Sequence, residues 1–155
     1  MGKKQTWKPH SEEKQKEYER EIRLQYGPDL VSQSVKRWGS YSQEQKDAVL
    51  EEGNRIYADL VEAIKDGKRP QGKKVQAILA RWHEHIRYFY EPTLEILRGL
   101  GDLYTTHPDF IANFKKLHPE LGDFMKEGIH QYVDDLETAE IERMLADDEA
   151  RRLQG

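Results

Sequence analysis

No cysteine occurs anywhere in the chain. Its absence excludes disulfides, thiolate metal sites and a cysteine nucleophile, and nothing suggests an oxidising compartment. A cytoplasmic location is expected. Long apolar runs are missing as well: no stretch approaches the ~20 apolar residues that span a bilayer. The N-terminal MGKKQTWKPHSEEKQK has lysines with no apolar segment behind them, so neither a secretion leader nor membrane insertion is expected. Alternating strand patterns, internal repeats and low-complexity linkers are also lacking.

Charge of one sign does not dominate the chain, but it is unevenly spread. From Asp134 onward there are eight acidic residues against three basic ones, whereas the whole chain carries a formal charge of −4. The remainder is therefore close to neutral, without the basic face that duplex binding usually needs. One basic cluster, Lys65, Lys68, Arg69, Lys73 and Lys74, surrounds a Gly/Pro turn. Its ordinary reading is a solvated helix connection, and no direct nucleic-acid contact is expected.

At 155 residues the chain fits one domain that buries roughly two-thirds of its unfolded surface. Hydrophobic residues make up 36% and charged residues 35%, a lean core, yet the aromatics and periodic Leu, Ile and Val keep the chain out of the disordered class. Almost every segment reads as helix. Ser11 is an N-cap for a helix closed by the YGPD of residues 26–29, and a short helix follows from Pro28 to Gly39 with Val31, Val35 and Trp38 on one face. Ser42 and Gln45 form a capping box ahead of a stripe of Val49, Leu50, Gly53, Ile56, Tyr57, Leu60, Val61 and Ile64. Gly53 in that stripe suggests a close helix crossing or room for a ligand, and the crossing is the ordinary reading.

DGKRPQG separates this helix from the next, which carries Val75, Ile78, Leu79, Trp82, Ile86 and Phe89 and should stop at Glu91-Pro92. Thr93 caps a further helix, His107-Pro108 opens a short one, and Pro119 starts the last core helix, ending near Val133. Beyond it, residues 134–155 are helix-prone and acidic, with a narrow apolar stripe of Ile141, Met144 and Leu145. That tail is either solvated or a docking element, for instance in a homodimer.

Catalytic chemistry finds little support. His83 and His85 lie about 160° apart on a helix, so they cannot grip one ion as an i, i+4 pair would. His10, His107, His118 and His130 are scattered, fit for caps, turns or surface. No carboxylate stands isolated among apolar neighbours, RGLG lacks the strand of a phosphate loop, and no serine sits in a nucleophile elbow. Neither an enzyme nor a bound cofactor or metal is expected.

What is present in excess is aromatic density. Trp82, Tyr88, Phe89 and Tyr90 crowd the end of one helix, Tyr104 ends the next, and Trp38, Tyr41 and Tyr57 lie upstream. Trp82 and Phe89 suit a small helical core. Tyr88, roughly 140° from the stripe centre, does not, and rings that overhang a helix break suit a large, flat, partly apolar ligand. His85, Pro92 and Arg98 flank these rings and join the candidate set. For Arg98 an ion pair with Glu95 or Asp102 is the equally ordinary use.

The stretch HIRYFYEPTLEILRGLGDLYTTHPDFIANF resembles the signature segment of the TipAS antibiotic-recognition domain, the ligand-binding half of TipA-type MerR regulators, and KEYEREIRLQYGPDLVSQSVKRWGSYSQEQ resembles the part before it. The likeness runs from about Tyr18 to Val133. It implies an all-α, single globin-like helical domain of about six to eight helices, without haem. Its cleft would bind thiopeptides or other macrocyclic, heteroaromatic antibiotics, for sequestration or transcriptional sensing. It also implies N-terminal helices that stay mobile until ligand arrives and fold over it, which places a lid in residues 11–40 of a ligand-binding domain expected at 11–133; residues 1–10 before it are expected to be disordered. This chain departs from the family pattern at two points. Thiopeptide-responsive members can carry a cysteine in the segment aligned with FYEPT, and here Pro92 stands near that position, which leaves reversible binding. A MerR regulator places a DNA-binding domain ahead of this one, so the expectation is either a stand-alone sequestrant or a piece of a longer regulator. The expected site comprises Trp38, Tyr41, Tyr57, Trp82, His85, Tyr88, Phe89, Tyr90, Pro92, Arg98 and Tyr104. The alternatives are a protein-interaction or regulatory module acting through the tail, and a globin-like haem or metal sensor.

Overall fold

Local chemistry sets most of the helix ends. The computed structural model describes residues 28–155; the expected disordered segment 1–10 and the helix from Ser11 to Gly27 lie outside the described residues. Six helices follow: α1 (Pro28–Ser40), α2 (Gln43–Lys65), α3 (Lys73–Ile86), α4 (Leu94–Thr106), α5 (Pro108–Leu117) and α6 (Leu121–Gln154), with no strand among the described residues. The capping box at Ser42 forms in full, its hydroxyl accepting from the Gln45 amide at 3.1 Å while its own amide donates to the Gln45 side chain at 2.8 Å. The same helix ends in a Schellman motif. Gly67 takes a φ of 70°, its amide donates to the Ile64 carbonyl, and the Lys68 amide reaches the Ala63 carbonyl. Thr93 caps α4 and His107 caps α5, each through its side chain.

α6 is the hub. Its buried residues Leu121, Met125, Ile129 and Val133 recur every fourth position, and the helix packs most extensively on α4 while also touching α2, α3 and α5. Two glycines permit the close approach. A Cβ at Gly128 would lie 2.8 Å from Leu79 Cδ1 and 3.3 Å from the Pro70 carbonyl oxygen, and one at Gly101 would lie 3.3 Å from Ile129 Cγ2. Gln76 ties the first crossing together by donating to the carbonyls of both Pro70 (2.9 Å) and Gly128 (3.0 Å). Gly53 is buried within α2.

Two expectations about faces and boundaries need correction. α1 turns Leu30, Ser34 and Trp38 toward the core, whereas Val35 is 55% exposed. Leu30 and Trp38 offer more apolar area than the two valines, and a small Ser34 between them lets the helix approach closely. α3 stops at Ile86, well before the proline, because the chain tightens into successive i→i−3 bonds from the amides of Arg87, Tyr88 and Phe89. Phe89 is therefore a turn residue, not the last member of the α3 stripe. No break separates the core part of α6 from the acidic segment, which continues as one helix of 34 residues.

Candidate functional site

The tight turn after α3 leaves main-chain carbonyls pointing outward at the negative end of a helix dipole. α1 and the residue that follows it supply the donors. Arg37 Nη1 donates to the Arg87 carbonyl at 2.7 Å, and the Tyr41 hydroxyl donates to the Tyr88 carbonyl at 2.6 Å. Rings then assemble around this junction. Trp38 stacks on Phe89 with centroids 5.4 Å apart, Tyr41 meets Trp38 edge-on at 6.1 Å, and Tyr41 meets Tyr88 edge-on at 6.4 Å. Lys46 Nζ sits over the Trp38 ring, 5.6 Å from its centroid. Phe89 is buried beneath, Trp38 and Tyr41 are half-buried, and Tyr88 stands 37% exposed at the rim.

His85 locks the base of this ledge. Its Nε2 lies 2.7 Å from the Val49 carbonyl, which can only accept, so that nitrogen carries the proton. Its ring also contacts Tyr88 and Phe89 edge-on. The bond ties α2 to the last turn of α3. Burial lowers the pKa of His85 against the opposing pull of that carbonyl and of Glu52. His83 points the other way, pairing through Nδ1 with the Tyr132 hydroxyl of α6 at 2.8 Å. Burial, helped by Arg87, lowers its pKa too. The Tyr88 hydroxyl is pushed up by desolvation and by the nearby Glu52 carboxylate.

Both histidines carry a folded pKa below the 6.5 of an unfolded chain, so the unfolded state binds more protons at lower pH. Their contribution to stability is complete above pH ~6.5 and is lost as pH falls below that value. Urea unfolding at pH 7.5, 6.5 and 5.5 is expected to show falling stability, and His85→Gln, which keeps a donor for Val49, to flatten part of the slope. A pH-independent midpoint would contradict the buried neutral imidazole.

The expected site residues thus divide. Trp38, Tyr41, His85, Tyr88 and Phe89 come together as the ledge. Tyr57, Trp82 and Tyr104 lie inside the core, where Tyr104 meets Trp82, Phe110 and Phe114 and Tyr57 meets Phe114. Tyr90 and Pro92 are buried just after the turn. Arg98 is placed apart: it pairs with Asp134 (2.6 Å) and Glu137 (3.3 Å) of α6, a correction to the expected Glu95 or Asp102, because α6 runs alongside α4. Asp102 instead accepts from His130 Nε2 at 2.9 Å. Sequence reasoning missed Arg37, Lys46 and Glu52, whose partners at the junction lie on other elements and leave no local pattern.

Clefts also open on the core away from the ledge. One, of about 140 Å³, opens beside Tyr104, Phe114 and Gly122; another, of about 470 Å³, lies at the α2–α3 turn between Lys68, Arg69 and Phe124, Glu127. The second is some 20 Å along α2 from Val49. Among the described residues no group of His, Asp or Glu suits a metal ion, and no helix is long and apolar enough to cross a membrane.

A family model described as the TipAS antibiotic-recognition domain matches residues 18–132. The chain belongs to this family. It is 32% identical over 124 residues to the HTH-type transcriptional activator mta of Bacillus subtilis (strain 168), covering 79% of this chain and 48% of that protein. It is 26% identical over 141 residues to the HTH-type transcriptional regulator SkgA of Caulobacter vibrioides, covering 86% and 54%. The chain spans about half the length of the curated relatives it matches. The fold resembles the structure of TipAS in complex with nosiheptide, from a thiopeptide antibiotic multidrug resistance system of Streptomyces lividans. That likeness has a TM-score of 0.67 and 21% identity, over 83% of this chain and 87% of that one. The ledge residues all fall within the TipAS match.

Proposed function

We propose that this TipAS domain binds large aromatic or macrocyclic antibiotics, thiopeptides among them, reversibly, with the ledge of Trp38, Tyr41, Tyr88 and Phe89 forming one wall of the site. The observation that carries this reading is Tyr88. It is a large ring at a helix end, met edge-on by Tyr41 and His85 while the Tyr41 hydroxyl bonds its backbone carbonyl, when the adjacent Phe89 and Tyr90 are buried. A rim of that kind offers apolar area with hydroxyls at its edge, which suits flat heteroaromatic rings better than a small polar metabolite. Tyr57, Trp82 and Tyr104 support the floor from within the core, and the buried Tyr90 and Pro92 shape the strand of chain leaving the turn. Family membership and the likeness to a nosiheptide-bound relative favour the same ligand class. The biological role, sequestration or signalling in a cytoplasmic regulator, follows from the same binding event, with no enzymatic step and no direct nucleic-acid contact by this domain.

The chain has no cysteine, so a dehydroalanine-bearing drug has no thiol here to add to. The test combines thermal melting, tryptophan fluorescence and intact mass across thiopeptides, other macrocyclic peptides and flat polyaromatic antibiotics. A true ligand at 100 times its Kd adds about 2.7 kcal/mol of stability, shifts the emission of Trp38, and leaves the protein mass unchanged after denaturation. A flat response across the panel would refute antibiotic binding, and a stable mass increase would refute reversibility.

A further inference from the structure

Val133 is the last fully buried residue of α6, yet the helix continues to Gln154. Arg98 clamps its next turn through Asp134 and Glu137, so the free portion extends from a held base. Ile141, Met144 and Leu145, at i, i+3 and i+4, are 57%, 59% and 62% exposed and form one apolar stripe. Charged side chains border it, and the segment from Asp134 onward has five more acidic than basic residues. Arg143 and Arg152 are engaged within the helix by Glu140 and Asp148. Among the described residues, Glu142, Asp147 and Glu149 have no ion pair.

We propose that this face docks a basic amphipathic helix of a partner protein. Apolar side chains of that helix would cover the stripe while its lysines or arginines meet the acidic flanks, the helix-against-helix mode of recognition. Charge decides the occupant. A second copy would set one acidic flank against another, which costs free energy where like charges face each other. A basic helix gains on both counts. With so short a stripe, the association is weak and strongly salt-dependent.

The test uses the full chain and a fluorescein-labelled amphipathic helical peptide of leucine and lysine, with its leucine–glutamate counterpart as control, read by anisotropy at low and high salt. Binding of the lysine peptide alone is expected, weakening with salt and falling about tenfold for each of two double variants, Ile141→Gln/Leu145→Gln and Glu142→Gln/Glu149→Gln. All four positions are on the exposed part of α6, so thermal melts should match wild type. Equal affinity for Ile141→Gln/Leu145→Gln would overturn the proposal, since the peptide would then be reading charge alone. Absence of binding would overturn it too, as would light scattering that shows a dimer abolished by the same variant. The tail is remote in sequence from the ledge, so this outcome and that of the antibiotic panel are read independently.

Discussion

Replacing Phe114 with alanine is expected to lower the unfolding free energy by about 3–5 kcal/mol, the range for deleting a large ring from a packed core. Phe114 is 2% exposed and stands where α5 meets the interior. Its ring contacts Tyr57 of α2 at 5.5 Å, Tyr104 of α4 at 4.9 Å and Phe110 at 6.2 Å. Removing it opens a cavity shared by three helices, none of which can collapse into the gap without moving another. Against a total stability of about 5–15 kcal/mol, this is a large fraction, and with ~2–4 °C per kcal/mol for a domain of this size the melting temperature should drop by about 6–20 °C. Phe114→Leu should recover much of it. Circular dichroism melts of the two variants check this; a loss below ~1 kcal/mol for alanine would mean that the aromatic core is not packed as described.

The helical architecture was legible because its signals are local. Ser42 with Gln45, Thr93, and His107 before Pro108 cap helices through bonds no longer than a few residues, and each forms. Apolar periodicity identified the buried sides of α2 and α3 for the same reason. It failed on α1, where valine and leucine faces compete and only the size of Trp38 and Leu30, measured against the core, decides the rotation. It also misplaced the end of α3. A proline restrains the residue before it, but the earlier tightening at Arg87 depends on Phe89 finding Trp38, a partner on another helix.

The candidate site was legible in composition and not in assembly. Eleven residues were singled out from ring density and the family resemblance, and the rings do gather, but in two places. Periodicity could not separate the rim from the interior, because Tyr88 and Tyr104 look alike in sequence and differ only in what packs over them. Arg98 illustrates the same limit for charge. Its neighbours in sequence include Glu95 and Asp102, yet the antiparallel course of α6 brings Asp134 and Glu137 closer.

Trp38→Ala is expected to produce the largest loss of ligand affinity of any substitution in the ledge, about 30-fold or more, the level of a hot-spot aromatic worth some 2 kcal/mol. Trp38 has two functions at once. Its outer edge stays exposed, available to a ligand ring, while the rest stacks on Phe89, meets Tyr41 and lies under Lys46. Its loss therefore deletes contact area and also loosens the junction through which Arg37 and Tyr41 reach the Arg87 and Tyr88 carbonyls of the turn after α3, so that the rest of the wall is no longer pre-organised. Tyr88→Ala should weaken binding less, about tenfold, because the carbonyl that receives Tyr41 belongs to the backbone and survives. Tyr41→Phe removes the hydroxyl alone and should cost about 1 kcal/mol, a typical single hydrogen bond. All three leave the Phe114 core untouched, so their melting temperatures without ligand should stay far above that of Phe114→Ala. Isothermal titration with whichever antibiotic stabilises the wild-type chain ranks the three. If Trp38→Ala and Tyr88→Ala both bind as tightly as wild type, the ligand does not rest on this ledge, and the cleft beside Tyr104 and Gly122 becomes the place to look.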